Sequence, residues 1–352
     1  MLHFDPKLLA ANKETEICSI YVAADSIERS LAENASRIKE LARAIHAAGP
    51  QRILLLGSGA SYCTLYTGYY FLRTCSGLPA VHAFGPELVS DDPPTLKAGR
   101  SFAILSSYSG KTADTLEASR YLGRLGIPRL ALSREEDGPL ARSCEYVLPY
   151  RDKCLYTTAM ANLLLLLVEL VSLRGEGGPA AELSGALAKV PGQMRGALEK
   201  SDEWARGALE RVKDDDFFYV LGDGALWALA YQFGYTNLME YSRVHAACLR
   251  SCEWRHGPLE VLFRKPAMIL FLGGDSSREY GLATRRYCEA NGARVISLDA
   301  KEYFQTHPVL APFAVHLASQ FFFLYQSTLR GINMDDYLEM HVKPYREGET
   351  YF

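Results

Sequence analysis

The chain has 352 residues, 38 Lys plus Arg against 41 Asp plus Glu, and a hydrophobic content of 48%. That length allows two domains with sizeable cores, while a formal charge of −3 without any Lys/Arg run leaves no footprint for nucleic acid. No unbroken apolar run approaches the ~18 residues of a membrane span; the leading candidate, Leu163 to Val168, is short and closed by Glu169, and reads as a buried core helix.

From Thr15 to Ala48, Ile20, Ile27, Leu31, Ile38, Leu41 and Ile45 recur at helical spacing, and Gly49-Pro50 stops the pattern. Such a helix packs on another element or on another subunit. Ile53 to Leu56 is a continuous apolar run of the kind buried on both faces of a parallel sheet. Gly57-Ser58-Gly59-Ala60-Ser61 follows and opens a helix from Tyr62 to Arg73. A strand, a Gly-rich turn and a helix start together present free N–H groups and a positive dipole end to an anion. A dinucleotide fingerprint would need glycine where Tyr62 stands. Ser58 and Ser61 suit hydroxyl contacts to a small phosphate instead.

Leu78 to Phe84 and Ser101 to Leu105 are the next predicted strands. The second runs into Ser106-Ser107-Tyr108-Ser109-Gly110-Lys111-Thr112 and a helix from Ala113 to Gly123. A P-loop would need glycine at Leu105, so the turn is not a nucleotide site. Ser107, Tyr108, Ser109 and Thr112 form a second hydroxyl-rich helix start, and two such starts after neighbouring strands suit one shared phosphate. Arg129 to Ser133 and Tyr146 to Leu148 read as strands, Thr157 to Leu173 as an apolar helix, Arg174 to Pro179 as a loop, and the stretch through Glu210 as weaker helix.

The pattern then restarts. Phe217 to Trp227 echoes Ile53 to Tyr62, and Ala267 to Gly274 with Ala293 to Asp299 echoes Phe102 to Ser133. The second copy lacks the serines, with Gly273-Gly274-Asp275 where the first has Ser107-Tyr108-Ser109. It carries instead the stretch Glu240 to Glu260, at the end of a predicted helix from Leu226 to Leu238. Glu240, Glu253, His245, His256 and three arginines lie in that stretch, and a helix with the turn after it predicts several of them on one pocket. A glutamate and a histidine tuned towards neutral pH move protons both ways. Eight scattered cysteines without C-x-x-C spacing, and no secretory signal, predict reduced thiols in a cytoplasmic protein. Cys248 and Cys252 lack a second pair for zinc, so neither metal nor cofactor is expected.

Gly57 to Ser61, Ser107 to Thr115 and Glu253-Trp254-Arg255-His256-Gly257-Pro258-Leu259 resemble the sugar isomerase (SIS) family, in the paired arrangement of the isomerase half of glucosamine-6-phosphate synthase. Leu238-Met239-Glu240, Glu253 to Glu260 and His307 to Phe313 are more closely similar to fructoselysine- and glucoselysine-6-phosphate deglycases. The resemblance implies two tandem α/β domains, each a flavodoxin-like three-layer sandwich, over residues 49–195 and 196–352 after an N-terminal helical segment 1–48. It further implies phosphate held by the first-half loops, a carbon acid–base at Glu240 with Glu253 as the rival carboxylate, ring opening at His256, and a homodimer in which one subunit's histidine completes the other's site. The synthase's glutamine amidohydrolase domain has no counterpart here. Its Schiff-base lysine falls at Met340, with Lys343 nearby. An Amadori substrate already carries its amine on C1 and needs no enzyme amine. The implied substrate is an amino-linked sugar 6-phosphate; the alternatives are simple aldose–ketose isomerisation, an isomerase domain of the glucosamine-6-phosphate synthase type, and non-catalytic sugar-phosphate sensing.

Overall fold

The computed structural model describes residues 2–97, 100–154, 156–340 and 342. Strands β1 (Arg52–Gly57), β2 (Ala80–Phe84), β3 (Ser101–Ser107), β4 (Arg129–Ser133) and β5 (Tyr146–Pro149) form one parallel sheet in the order β2-β1-β3-β4-β5. Strands β6 (Phe217–Gly222), β7 (His245–Leu249), β8 (Ala267–Leu272) and β9 (Arg294–Asp299) form a second, in the order β7-β6-β8-β9. The second order repeats the first without its fifth strand. The fold is α/β, two parallel sheets flanked by helices.

The apolar runs fold this way because both faces of each sheet are covered. Ile53 and Leu55 face the main core, while Leu54 and Leu56 face a smaller core that includes Ala118 and Leu122 of the helix Ala113–Arg124. The main core continues from the first half into the second, from Ile17 through Leu163 and Phe233 to Phe322. The N-terminal amphipathic helix, Ala23–Ala48, lays its buried face on the apolar helix Thr157–Leu173, so its apolar stripe is covered within the chain. Buried Asn34 ties the two by donating to Asn162 Oδ1 at 2.8 Å and to the Pro149 carbonyl at 2.7 Å.

Two departures from the sequence reading bear on the second half. A strand, β7, interrupts the Glu240–Glu260 stretch. And among the described residues one helix is long and apolar enough to cross a membrane, Pro308–Leu329, although no unbroken run marks it; polar residues on it, among them His316, Ser319 and Gln320, are themselves buried. Buried over 94% of its most apolar window, it is the central helix of the second half. The deglycase-like motif His307 to Phe313 is where it begins: His307 Nδ1 caps the helix by accepting from Val309 N at 3.3 Å.

Candidate active site

β1 and β3 are adjacent, yet β1 leads on to β2 on one side and β3 to β4 on the other. The crevice between their carboxyl ends is the switch point at which open α/β sheets take ligands. The loops Gly57–Ser61 and Ser107–Thr112 meet there, each entering a helix, Gly59–Cys75 and Ala113–Arg124. Neither Ser58 nor Thr112, the residues at the N-caps, uses its side chain to cap its own helix. Gly59 takes φ +52, which lets the chain turn from strand into helix.

A cavity of about 540 Å³ opens over these loops. Ser58, Ala60, Ser61, Tyr108, Ser109 and Thr112 line one side; Glu240, Tyr241, Asp335 and Tyr337 line the other, with Glu16 and Ile17 between. Six of the nine residues singled out from sequence therefore share one cavity. Ser107 is buried beneath it, sharing a 2.8 Å hydrogen bond with Thr112 and accepting from Gly110 N at 3.1 Å, and so braces the loop. The Tyr108 hydroxyl donates to Glu16 at 3.3 Å and accepts from Arg134 at 3.2 Å, which fixes it as a wall.

Glu240 ends a π-helical segment, Phe233–Tyr241, that continues the helix Trp227–Gln232. Such widened turns are rare and frequent at functional sites. Gly234 allows this segment to lie against β7, since a side chain there would strike Cys248 Sγ. Phe233 and Leu238 are buried below Glu240, whereas Met239 faces solvent. Loss of solvation pushes the Glu240 carboxyl up to about 7 from 4.5, against a smaller opposing contact with Tyr241. A carboxyl balanced at neutrality can both take and return a proton.

Glu253 and His256 do not line this cavity. After Glu240 the chain turns at Arg243, φ +51, and runs the length of β7 before reaching them. Five residues of strand span roughly 17 Å, so they lie at the opposite end of the second sheet. Trp254, buried against Tyr219 at 5.1 Å, anchors their loop and leaves both at the surface, where Arg255 Nε donates to His256 Nε2 at 3.1 Å.

Glu16, Asp335 and Tyr337 were not legible as site residues, because they come from opposite ends of the chain and carry no motif. Asn12 joins those ends: its amide donates to Thr328 Oγ1 at 3.1 Å and to the Ile332 carbonyl at 2.9 Å, and accepts from Met334 N at 2.9 Å. Met340, where the resemblance puts a lysine, lies beside Glu240 in an adjoining cleft; Lys343 is outside the described residues. Among the described residues no three His, Cys, Asp or Glu side chains converge as metal ligands.

No family model matches the chain. Fructoselysine 6-phosphate deglycase of Escherichia coli K12 is 22% identical over 286 residues, 81% of this chain and 84% of the relative. The C-terminal domain of glucosamine-fructose-6-phosphate aminotransferase from Francisella tularensis superposes with a TM-score of 0.76 at 19% identity, over 89% of this chain and 95% of that one. Tagatose-6-phosphate ketose/aldose isomerase from Escherichia coli gives 0.74 at 18% identity, over 96% and 99%. The chain shares the fold of these sugar-phosphate enzymes. In this fold the candidate cavity spans both halves, with hydroxyls from the first and a carboxyl from the second.

Proposed function

We infer that the chain is a phosphosugar enzyme that releases an amine from a 6-phosphorylated ketosamine, an Amadori compound. One observation carries the reading: a carboxyl that titrates near neutrality shares a cavity with two hydroxyl-lined helix starts. The deglycase among its relatives supports it.

Ser58, Ser61, Ser109 and Thr112, with the amides of both helix starts, take the phosphate without needing a basic pocket. That leaves the sugar's C1 and C2 to Glu240. Ionised Glu240 removes a proton from C1 of the open ketosamine; the electron pair forms C1=C2 and the C2 oxygen takes a proton, giving an enolamine. Protonated Glu240 returns its proton to C2, which leaves an imine at C1. Water adds to the imine carbon, the C–N bond breaks, and an aldose 6-phosphate and a free amine depart. The substrate supplies its own nitrogen, so methionine at position 340 is no obstacle. Exposed His256 joins this scheme from a second copy of the chain, with Glu253 beside it, so the working unit is a homodimer in which His256 opens the partner's sugar ring. Eight free cysteines fit a reducing, cytoplasmic setting.

The test is a panel of 6-phosphorylated Amadori compounds in deuterium oxide, scored for amine release and for deuterium at C1 or C2. Amine release with exchange is expected. The fold match to a ketose/aldose isomerase favours one second reading, isomerisation by Glu240 alone. A ketose 6-phosphate interconverted with its aldose, with every Amadori compound inert, would establish that instead. Tight binding without turnover of either would make the chain a sensor.

A further inference from the structure

Taking a proton from C1 of an open ketose or ketosamine drives negative charge onto the C2 oxygen. A fixed hydrogen-bond donor that meets such a charge is usually the largest single contribution to the rate. Glu240 cannot be that donor, because its carboxylate is accepting the C1 proton at the same moment.

Tyr241 is placed for the task. It follows Glu240 at the end of the π-helical segment, and its side chain lines the same cavity. The residue is only 8% exposed, and its ring packs on Phe323 with centroids 6.0 Å apart, so its position is fixed. Its hydroxyl lies 3.4 Å from that of Tyr337 and contacts the Glu240 carboxyl. The other hydroxyls of the cavity have different work. Ser58, Ser61, Ser109 and Thr112 belong to the phosphate end, and Tyr108 is held as a wall between Glu16 and Arg134. Loss of solvation, and after it the charge of Glu240, push the Tyr241 phenol far above its usual range. Tyr241 therefore stays protonated and acts as a donor, not as a second base.

The contact with Glu240 gives the donor its timing. Hydrogen bonds to a charged acceptor are about twice as strong as neutral ones, so the Tyr241 hydrogen is drawn to Glu240 while that carboxyl is ionised. Once Glu240 has taken the C1 proton, the charge stands on the C2 oxygen instead, and the hydrogen bond follows it.

We propose that Tyr241 is a further catalytic residue, which donates its hydroxyl hydrogen bond to the C2 oxygen as the C1–H bond breaks, while Tyr337 donates to Tyr241 from behind. The C1–H electron pair becomes the C1=C2 bond and the proton goes to Glu240. The carbonyl pair moves onto the C2 oxygen, and the proton that this oxygen keeps comes from water. The inference rests on the role given to Glu240 above, whether the product is an amine or an isomerised sugar, and it names the partner which that step requires.

Two ligands and one rate test it. Calorimetry compares a pentonohydroxamate 5-phosphate, whose oxygens carry the charge of the enolate, with pentitol 5-phosphate, which has no charge there. In Tyr241→Phe the hydroxamate should bind at least about tenfold more weakly, and the pentitol phosphate less than about threefold. The rate is measured on whichever the parent turns over, a 6-phosphorylated Amadori compound or a ketose 6-phosphate. There kcat should fall on the order of 10²-fold with KM little changed, and deuterium exchange at C1 should fall with it. Equal weakening of both ligands would mark a structural role and overturn the proposal. A parent-like kcat plateau, with only the acid limb moved to higher pH, would also overturn it, since Tyr241 would then act solely by keeping Glu240 ionised. If Tyr337→Phe loses the hydroxamate and Tyr241→Phe does not, the donor is Tyr337 and the assignment fails. A parent that turns over neither substrate refutes the role of Glu240, and this inference with it.

Discussion

The two halves build the same crevice and use it oppositely. In the first, the β1–β3 switch point opens into the cavity, and Gly59 at φ +52 has no heavy atom within 4 Å of where a Cβ would stand. In the second, the β6–β8 switch point is filled by the protein's own carboxylate. Asp275 accepts from Ala225 N at 3.0 Å and from Ser277 N at 2.8 Å, and it sits against Gly224, which has φ +53. Asp223 likewise accepts from Ser251 N at 3.1 Å. Backbone amides at a helix start attract an anion whether it comes from solvent or from the chain. Where the first half has a serine-rich loop the second has Gly273-Gly274-Asp275, whose carboxylate closes its own crevice, and Glu240 reaches the candidate cavity from near the other end of that sheet.

If the halves divide binding from chemistry, substitutions in each should fall on different kinetic constants. Glu240→Gln is expected to lower kcat by about 10²-fold or more, the scale for a positioned acid or base, with KM little changed and with loss of deuterium exchange into the substrate. The parent's kcat should rise with pH through about 7, where Glu240 ionises, and level off above it. Stability should run the other way. The folded pKa is raised above the unfolded one, so this carboxyl's contribution is full below about pH 4 and is lost as pH rises through about 7. At pH 8 Glu240→Gln should therefore be the more stable protein, by at most about 3 kcal/mol in urea unfolding. An unchanged pH–rate profile in the variant would remove Glu240 from the chemistry.

Exchanging the residues that distinguish the two crevices sharpens the contrast. Ser109→Asp puts a carboxylate in the first-half loop where the second half has Asp275. Like charges set against a phosphate cost several kcal/mol, so KM should rise on the order of 10²-fold with kcat nearly retained. Ser109→Ala should raise KM about fivefold, the loss of one hydrogen bond. The reciprocal Asp275→Ser should cost about 1–3 kcal/mol by uncapping the amides it holds, and should let inorganic phosphate protect the variant against heat more than it protects the parent. A KM unmoved by Ser109→Asp would mean the phosphate sits elsewhere.

Much of this arrangement is written locally. β1, β3, β6 and β8 are central strands buried on both faces, so each reads as an apolar run, and the turns that follow carry their own hydroxyls or glycines. β7 is an edge strand with the sequence His-Ala-Ala-Cys-Leu, poor in β-branched residues, and only pairing with β6 makes it a strand. That one element moves Glu253 and His256 away from Glu240. The helix from Pro308 to Leu329 is buried on nearly every side, so it lacks the periodicity that marks a surface helix. Glu16 and Tyr337 meet in the cavity through the Asn12 clamp, a contact across more than three hundred residues that no local pattern announces.

A matched pair of glycines gives the smallest and cleanest test. Gly59 and Gly224 hold nearly the same left-handed conformation at the same place in each half. Alanine at either should cost about 1–2 kcal/mol of backbone strain. At Gly59 the new methyl points into open space, so strain is the whole effect. At Gly224 it meets the Asp275 carboxylate, which cannot swing aside without releasing Ala225 N, Ser277 N and the Ser277 hydroxyl. Gly224→Ala should therefore be about 1–3 kcal/mol worse than Gly59→Ala in urea unfolding, the added cost of leaving those donors unpaired. In the Asp275→Ser background the excess should vanish, because residues in contact couple and a double-mutant cycle reads the coupling. Equal losses at the two glycines would mean that the second crevice is as open as the first and that Asp275 does not plug it.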